Sequence, residues 1–110
     1  MDEQSPSIKV IIRGQDVAGT IVDGGSRVNL INKITCDKLR ITKLDACPFW
    51  LRMADTGMVR LLGLIQQLDV ILGYHTFHIS AIVLHLESQG AYQLLLGRPW
   101  LKTTHIKQDW

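Results

Sequence analysis

Asp23 ends the apolar run Thr20-Ile21-Val22 and opens the turn Gly24-Gly25-Ser26. A carboxylate leaving a buried strand is held by stiff backbone, and the glycines let that backbone fold back tightly and bring amides towards the acid. The same pattern is also what an ordinary polar turn looks like, so the type of residue alone does not make it a site. A second acid-x-glycine triplet stands at Asp55-Thr56-Gly57. His75, His78, Cys36 and Cys47 carry zinc-type donors, but ten residues lie between the cysteines and an H-x-x-H spacing on a strand sends the two rings to opposite faces. No metal site and no cofactor are expected. Ser26 lacks a nearby histidine to act as its base, and the two cysteines read as small buried hydrophobes.

Whatever these residues do, a single domain spanning 1–110 must position them, because half of a 110-residue chain is too small to bury a core of its own. With 46% hydrophobic and 20% charged residues the chain can fill a core. Twelve basic residues against ten acidic ones leave +2, scattered rather than gathered in a stripe, so nucleic acid is not an expected partner. Trp50, Trp100 and Tyr92 accordingly read as packing residues rather than base-stacking platforms. The most apolar stretch, residues 59–74, is interrupted by Arg60, Gln66, Gln67 and Asp69, so no membrane partner is expected either. A start without a basic then apolar segment, and cysteines in no disulfide framework, point to an intracellular, cytoplasmic setting.

Local periodicity predicts short strands. Ile8, Val10 and Ile12 alternate, residues 14–16 turn, and 17–22 form a second strand running into Asp23. Asn32 can cap a short helix over 32–39. Residues 49–54 and 58–62 around Asp55-Thr56-Gly57 suggest a projecting hairpin, and a second hairpin folds about Gly73-Tyr74, with Leu68, Val70 and Leu72 facing Phe77, Ile79, Ala81 and Val83. Residues 92–96 form the last strand, Gly97 ends it, and Pro99 suits the first turn of a closing helix. The fold class is mostly β with one or two short helices.

A second segment, Leu94-Leu95-Leu96-Gly97-Arg98-Pro99-Trp100-Leu101, follows with 74 residues from Asp23 to Gly97. The two segments together resemble the retropepsin-like aspartic proteases, more narrowly the protease domain of gypsy-class retrotransposon polyproteins. In that family an apolar pair precedes D-x-G-[SAT], and an apolar-apolar-G-R strand precedes W-L. The resemblance covers nearly the whole chain and implies a single-lobe acid-protease barrel. It makes Asp23 the catalytic residue, Gly24, Gly25 and Ser26 its turn, and Leu96, Gly97 and Arg98 the supporting strand end. Ala54, Asp55, Thr56 and Gly57 then fall in a substrate-binding flap of about residues 49–63, which closes over an extended polypeptide and excludes water.

The implied chemistry needs two carboxylates sharing one proton, since two like charges within hydrogen-bonding reach cannot both ionise cheaply: one stays protonated while the other activates a water. One convincing copy per chain implies a homodimer with both Asp23 residues at its two-fold axis. Asp55 spells the commoner triplet, but only 42 positions separate it from Gly97 and Met58 follows it instead of a small residue. The sequence departs from the family pattern in two places. Gly24 lacks the hydroxyl that braces both turns across the dimer. Arg27 stands where an acid often pairs with the arginine of G-R, so Arg98 needs another partner. An inactive domain of this fold, kept for dimerisation or peptide capture, is the competing expectation.

Overall fold

The structure, a computed structural model, describes residues 7–47, 60–86 and 92–104. Among them are six strands, β1 (Ser7–Ile12), β2 (Gln15–Val22), β3 (Leu30–Asn32), β4 (Arg60–Leu72), β5 (His75–His85) and β6 (Leu94–Leu96), with helices α1 (Lys33–Lys38) and α2 (Arg98–Thr104). The strands close a barrel in the order β1-β2-β6-β3-β5-β4. Its pairs are antiparallel except β2 with β6 and β3 with β5, which run parallel.

Period-two alternation builds the core: Val10 and Ile12 of β1, Val70 of β4, and Ile79, Ala81 and Val83 of β5 are all buried inside the barrel. The β1–β2 connection is tighter than the expected 14–16 turn. Arg13 and Gly14 both take left-handed backbone, at φ 53° and 80°, which is the two-residue geometry that matches the twist of a hairpin. Asn32 caps α1 as expected, its Oδ1 accepting from the Ile34 amide at 3.3 Å.

The structure corrects two readings. The described part of the strand expected over 58–62, residues 60–62, and the strand expected from Leu68 belong to one 13-residue strand, β4 (Arg60–Leu72). Its register against β5 shifts between Leu61 and Gly63 and again between Ile65 and Leu68. The second bulge absorbs exposed Gln66 and Gln67 and re-phases the strand, so that Ile65, Leu68 and Val70 all face inward. Ile31, read as part of a helical face, belongs to the unforeseen β3 and is fully buried, whereas Ile34 of α1 is exposed. The expected flap, residues 49–63, lies outside the described residues except for its last four positions, which start β4.

Candidate active site

Strands β2 and β6 lie side by side and in parallel, with Thr20, Ile21 and Val22 opposite Leu94, Leu95 and Leu96. Parallel pairing brings the ends of both strands, and therefore both sequence motifs, to the same rim of the barrel. Strand β6 is buried throughout and β2 is buried at Thr20 and Ile21, where it faces Leu94 and Leu95: Thr20, Leu94 and Leu96 are fully buried, and the Thr20 hydroxyl donates to the Val17 carbonyl at 3.0 Å.

Four hydrogen bonds stitch the motifs together. The Asp23 amide donates to the Leu96 carbonyl at 3.0 Å, the Arg98 amide to the Ser26 carbonyl at 2.9 Å, the Gly97 amide to Asn29 Oδ1 at 2.8 Å, and Arg98 Nε to the Gly24 carbonyl at 3.1 Å. The last contact identifies the partner that Arg98 needed: a backbone oxygen of the turn rather than an acid. Within the turn, the Gly25 amide donates to Asp23 Oδ1 at 2.8 Å and the Ser26 amide to the Asp23 carbonyl at 3.1 Å, which fixes the carboxylate's orientation. Ser26 spends its hydroxyl on the Val28 carbonyl at 2.7 Å. Asp23 is half-buried, while Gly24, Gly25 and Arg27 are exposed, so the turn faces outward from the barrel rim.

The two rim glycines differ in what they permit. A Cβ on Gly97 would lie 2.5 Å from the Val28 carbonyl oxygen and 2.7 Å from that of Ser26, so the strand end and the turn close on each other only because Gly97 has no side chain. A Cβ on Gly24 would meet only Leu101 Cδ1, at 3.7 Å.

One residue at the rim was not singled out from the sequence. Asn29, almost fully buried, accepts from Gly97 and donates from Nδ2 to the Ser80 carbonyl of β5 at 3.0 Å, joining three strands behind the turn. Its signal was a polar residue inside the apolar run Val28-Asn29-Leu30-Ile31. Tyr92, read from the sequence as a packing residue, is half-buried just before β6, and its hydroxyl pKa is raised, first by burial and then by the negative charge of Asp23. Of the remaining sequence candidates, Cys36 and Cys47 are buried, and burial pushes the Cys36 thiol up to about 11, with Asp37 adding to the effect. That leaves Cys36 protonated and inert at neutral pH. His78 lies with Nδ1 2.6 Å from Asp69 Oδ1 across β4 and β5. Trp100 is buried and meets Phe77 edge-on at 5.8 Å. Ala54, Asp55, Thr56 and Gly57 lie outside the described residues, so the structure joins Asp23, Gly24, Gly25 and Ser26 to Leu96, Gly97 and Arg98 and leaves the flap triplet aside.

No family profile and no curated protein matches the chain. Solved structures do. The retroviral protease-like domain of Ddi1 from Leishmania major superposes with a TM-score of 0.71 at 20% identity, over 93% of this chain and 78% of that one. A retropepsin-like aspartic protease from Rickettsia conorii superposes with a TM-score of 0.64 at 23% identity, over 87% of this chain and 69% of that one. The barrel has the retropepsin-like fold. In this retropepsin-like barrel, the rim where β2 and β6 end carries the Asp-Gly-Gly-Ser turn and the Gly-Arg strand end in hydrogen-bonded contact. Among the described residues no helix is long and apolar enough to cross a membrane.

Proposed function

We propose that the chain is an aspartic endopeptidase that works as a homodimer, with one Asp23 from each protomer. The observation that carries this reading is the geometry at the rim. A half-buried carboxylate is oriented by the Gly25 amide on an outward-facing turn, and the turn is locked to β6 and α2 through Leu96, Gly97 and Arg98. A turn in that position can meet its own copy about a two-fold axis. The two carboxylates would then share a proton and hold one water: the ionised acid takes the water's proton as the oxygen attacks the peptide carbonyl, and the protonated acid hydrogen-bonds the carbonyl oxygen as charge develops there. Extended polypeptide is the substrate, and Ala54, Asp55, Thr56 and Gly57 form the flap that covers it. The gypsy-like motif pair supports processing of a retrotransposon polyprotein, and a cysteine count of two, too low for a disulfide framework, suits the reducing cytoplasm.

A second reading, a peptide-binding module without catalysis, is favoured by Gly24, which offers no hydroxyl to a partner turn, and by exposed Arg27 beside the site. One experiment separates the two. Peptides with apolar residues on both sides of the scissile bond are incubated with the chain over a range of protein concentrations, with and without pepstatin. The protease reading requires cleavage that pepstatin blocks, that rises with dimer fraction by sedimentation, and that disappears in Asp23→Asn while largely surviving in Asp55→Asn. Binding without cleavage at dimer-saturating concentration establishes the module. Activity lost in Asp55→Asn and kept in Asp23→Asn would move the catalytic role to Asp55.

A further inference from the structure

At the end of β2 opposite Asp23, eight strand residues or roughly 26 Å away, a cleft of about 630 Å³ opens between the β1–β2 turn, the segment after α1 and one edge of β4. That volume is within the range of ordinary ligand sites. Its floor is apolar, made by Ile41, Ile65, Leu68 and Ile71. Three cations stand around it: Arg13, Arg40 and Lys43, all exposed. The acid that also lines it, Asp69, is paired with His78, and that hydrogen bond holds its pKa below the usual carboxylate value.

The backbone there is unusual on both sides of the cleft. Arg13 and Arg40 both hold left-handed φ angles, 53° and 60°, and Arg13 Nη1 donates to the Arg40 carbonyl at 3.1 Å, latching the two loops to each other. Non-glycine residues held in that region cost energy and cluster at binding sites. Across from them, β4 is bridged to Asp45 at Leu64 and to Ile11 of β1 at Ile71. Between those bridges, residues 65–70 have no strand partner on this edge among the described residues. The gap is about 20 Å long, room for a strand of six residues.

An unpaired sheet edge with an apolar floor and a cationic rim fits one class of partner. We propose that this cleft docks an extended acidic segment of another protein. The segment adds as a strand along residues 65–70 of β4, rests alternate apolar side chains on Ile65 and Leu68, and sets its carboxylates against Arg13, Arg40 and Lys43. This site is independent of the proposed catalysis.

The test is a two-dimensional NMR titration of the Asp23→Asn chain, which cannot consume the probe, with the capped peptide Glu-Leu-Glu-Val-Glu-Leu. A Lys-for-Glu version of the peptide and a heparin hexasaccharide serve as comparisons. Saturable shifts of the amides at residues 65–70 and 40–43 are expected, weakening with added salt. Lys43→Glu and Arg40→Glu, each verified as folded by thermal melting, should weaken the Glu peptide at least tenfold, and Lys43→Glu should gain affinity for the Lys peptide. Absence of shifts along 65–70, equal binding of the two peptides by the parent, or equal Glu-peptide binding by folded Lys43→Glu each overturns the proposal. If heparin shifts the 65–70 amides as the Glu peptide does, the cleft is a general anion patch and strand addition is wrong.

Discussion

Gly97 and Gly24 sit on facing sides of the same rim, and replacing each by alanine should have opposite effects. At Gly97 the new Cβ meets two carbonyl oxygens, 2.5 and 2.7 Å away, belonging to the backbone of Val28 and Ser26. Neither can swing aside as a side chain would. Relief requires the turn and the end of β6 to separate by about half an ångström or more, which stretches the Arg98–Ser26 and Gly97–Asn29 hydrogen bonds that hold them. Overpacking typically costs about 1–3 kcal/mol, and a buried amide deprived of its acceptor about 1–3 more, so Gly97→Ala should lose roughly 2–6 kcal/mol. For a domain of this size, at about 4 °C per kcal/mol, that is a fall in Tm of about 8–24 °C. At Gly24 the backbone is not left-handed and the methyl makes an ordinary contact with Leu101. Gly24→Ala then acts through the unfolded chain, whose freedom it restricts, and should stabilise by about 0.4–1 kcal/mol. Urea unfolding of the three proteins at equal, low concentration reads both effects as midpoint shifts at constant slope. Midpoints that move in the same direction, or a Gly97→Ala midpoint equal to the parent's, would refute the close-approach argument.

Asn29→Ala removes the acceptor of the Gly97 amide and the donor to the Ser80 carbonyl, and should cost about 2–4 kcal/mol in urea unfolding. Because Cys36 has its thiol pushed up from 9.0 to about 11, the folded chain keeps a proton that the unfolded chain releases in that window. The Cys36 contribution is therefore intact below pH 9 and is lost, by up to about 2–3 kcal/mol, as pH rises towards 11, so Cys36→Ala should lose less stability than the parent over the same interval. Gly24→Thr places a hydroxyl on the exposed turn with room for its Cβ. It should tighten the proposed dimer by sedimentation, since each new inter-chain hydrogen bond is worth about 0.5–1.5 kcal/mol, and raise cleavage at low protein concentration.

What could be read from the sequence was whatever local pattern determines. The β4–β5 hairpin about Gly73-Tyr74 shows as two alternating runs around a glycine, and Asn32 shows as a cap because its side chain competes for backbone amides near at hand. The contact of the Asp23 turn with Gly97 was legible only as a pair of motifs, since nothing local relates residues 74 positions apart. Strand β3 was hidden because three residues carry too little alternation and run straight into α1. The single long β4 was hidden by Gln66 and Gln67, which look like a break in any fixed period and prove to be a bulge that β5 specifies from across the sheet. Asn29 could not be found from periodicity at all, because its role lies in satisfying two backbone groups that tertiary structure brings together.

The same contacts bear on how the proposed dimer would assemble. Where a hydroxyl follows the aspartate, two turns can brace each other across the two-fold axis, and ordering of the site is tied to association. Here the turn is held from within its own chain: Arg98 Nε reaches the Gly24 carbonyl from α2, the Gly25 amide holds the Asp23 carboxylate, and Asn29 anchors Gly97 to β5. The entropy of ordering the turn is then lost when the protomer folds, not when two protomers meet. Association needs only to supply the second carboxylate and the water between them. With Gly24 contributing no side chain to the contact, few bonds formed at the axis would favour the pair. On the proposed reading, a preorganised half-site and a weak dimer belong together, and control of activity would rest on local concentration, which a polyprotein that holds many copies side by side would provide.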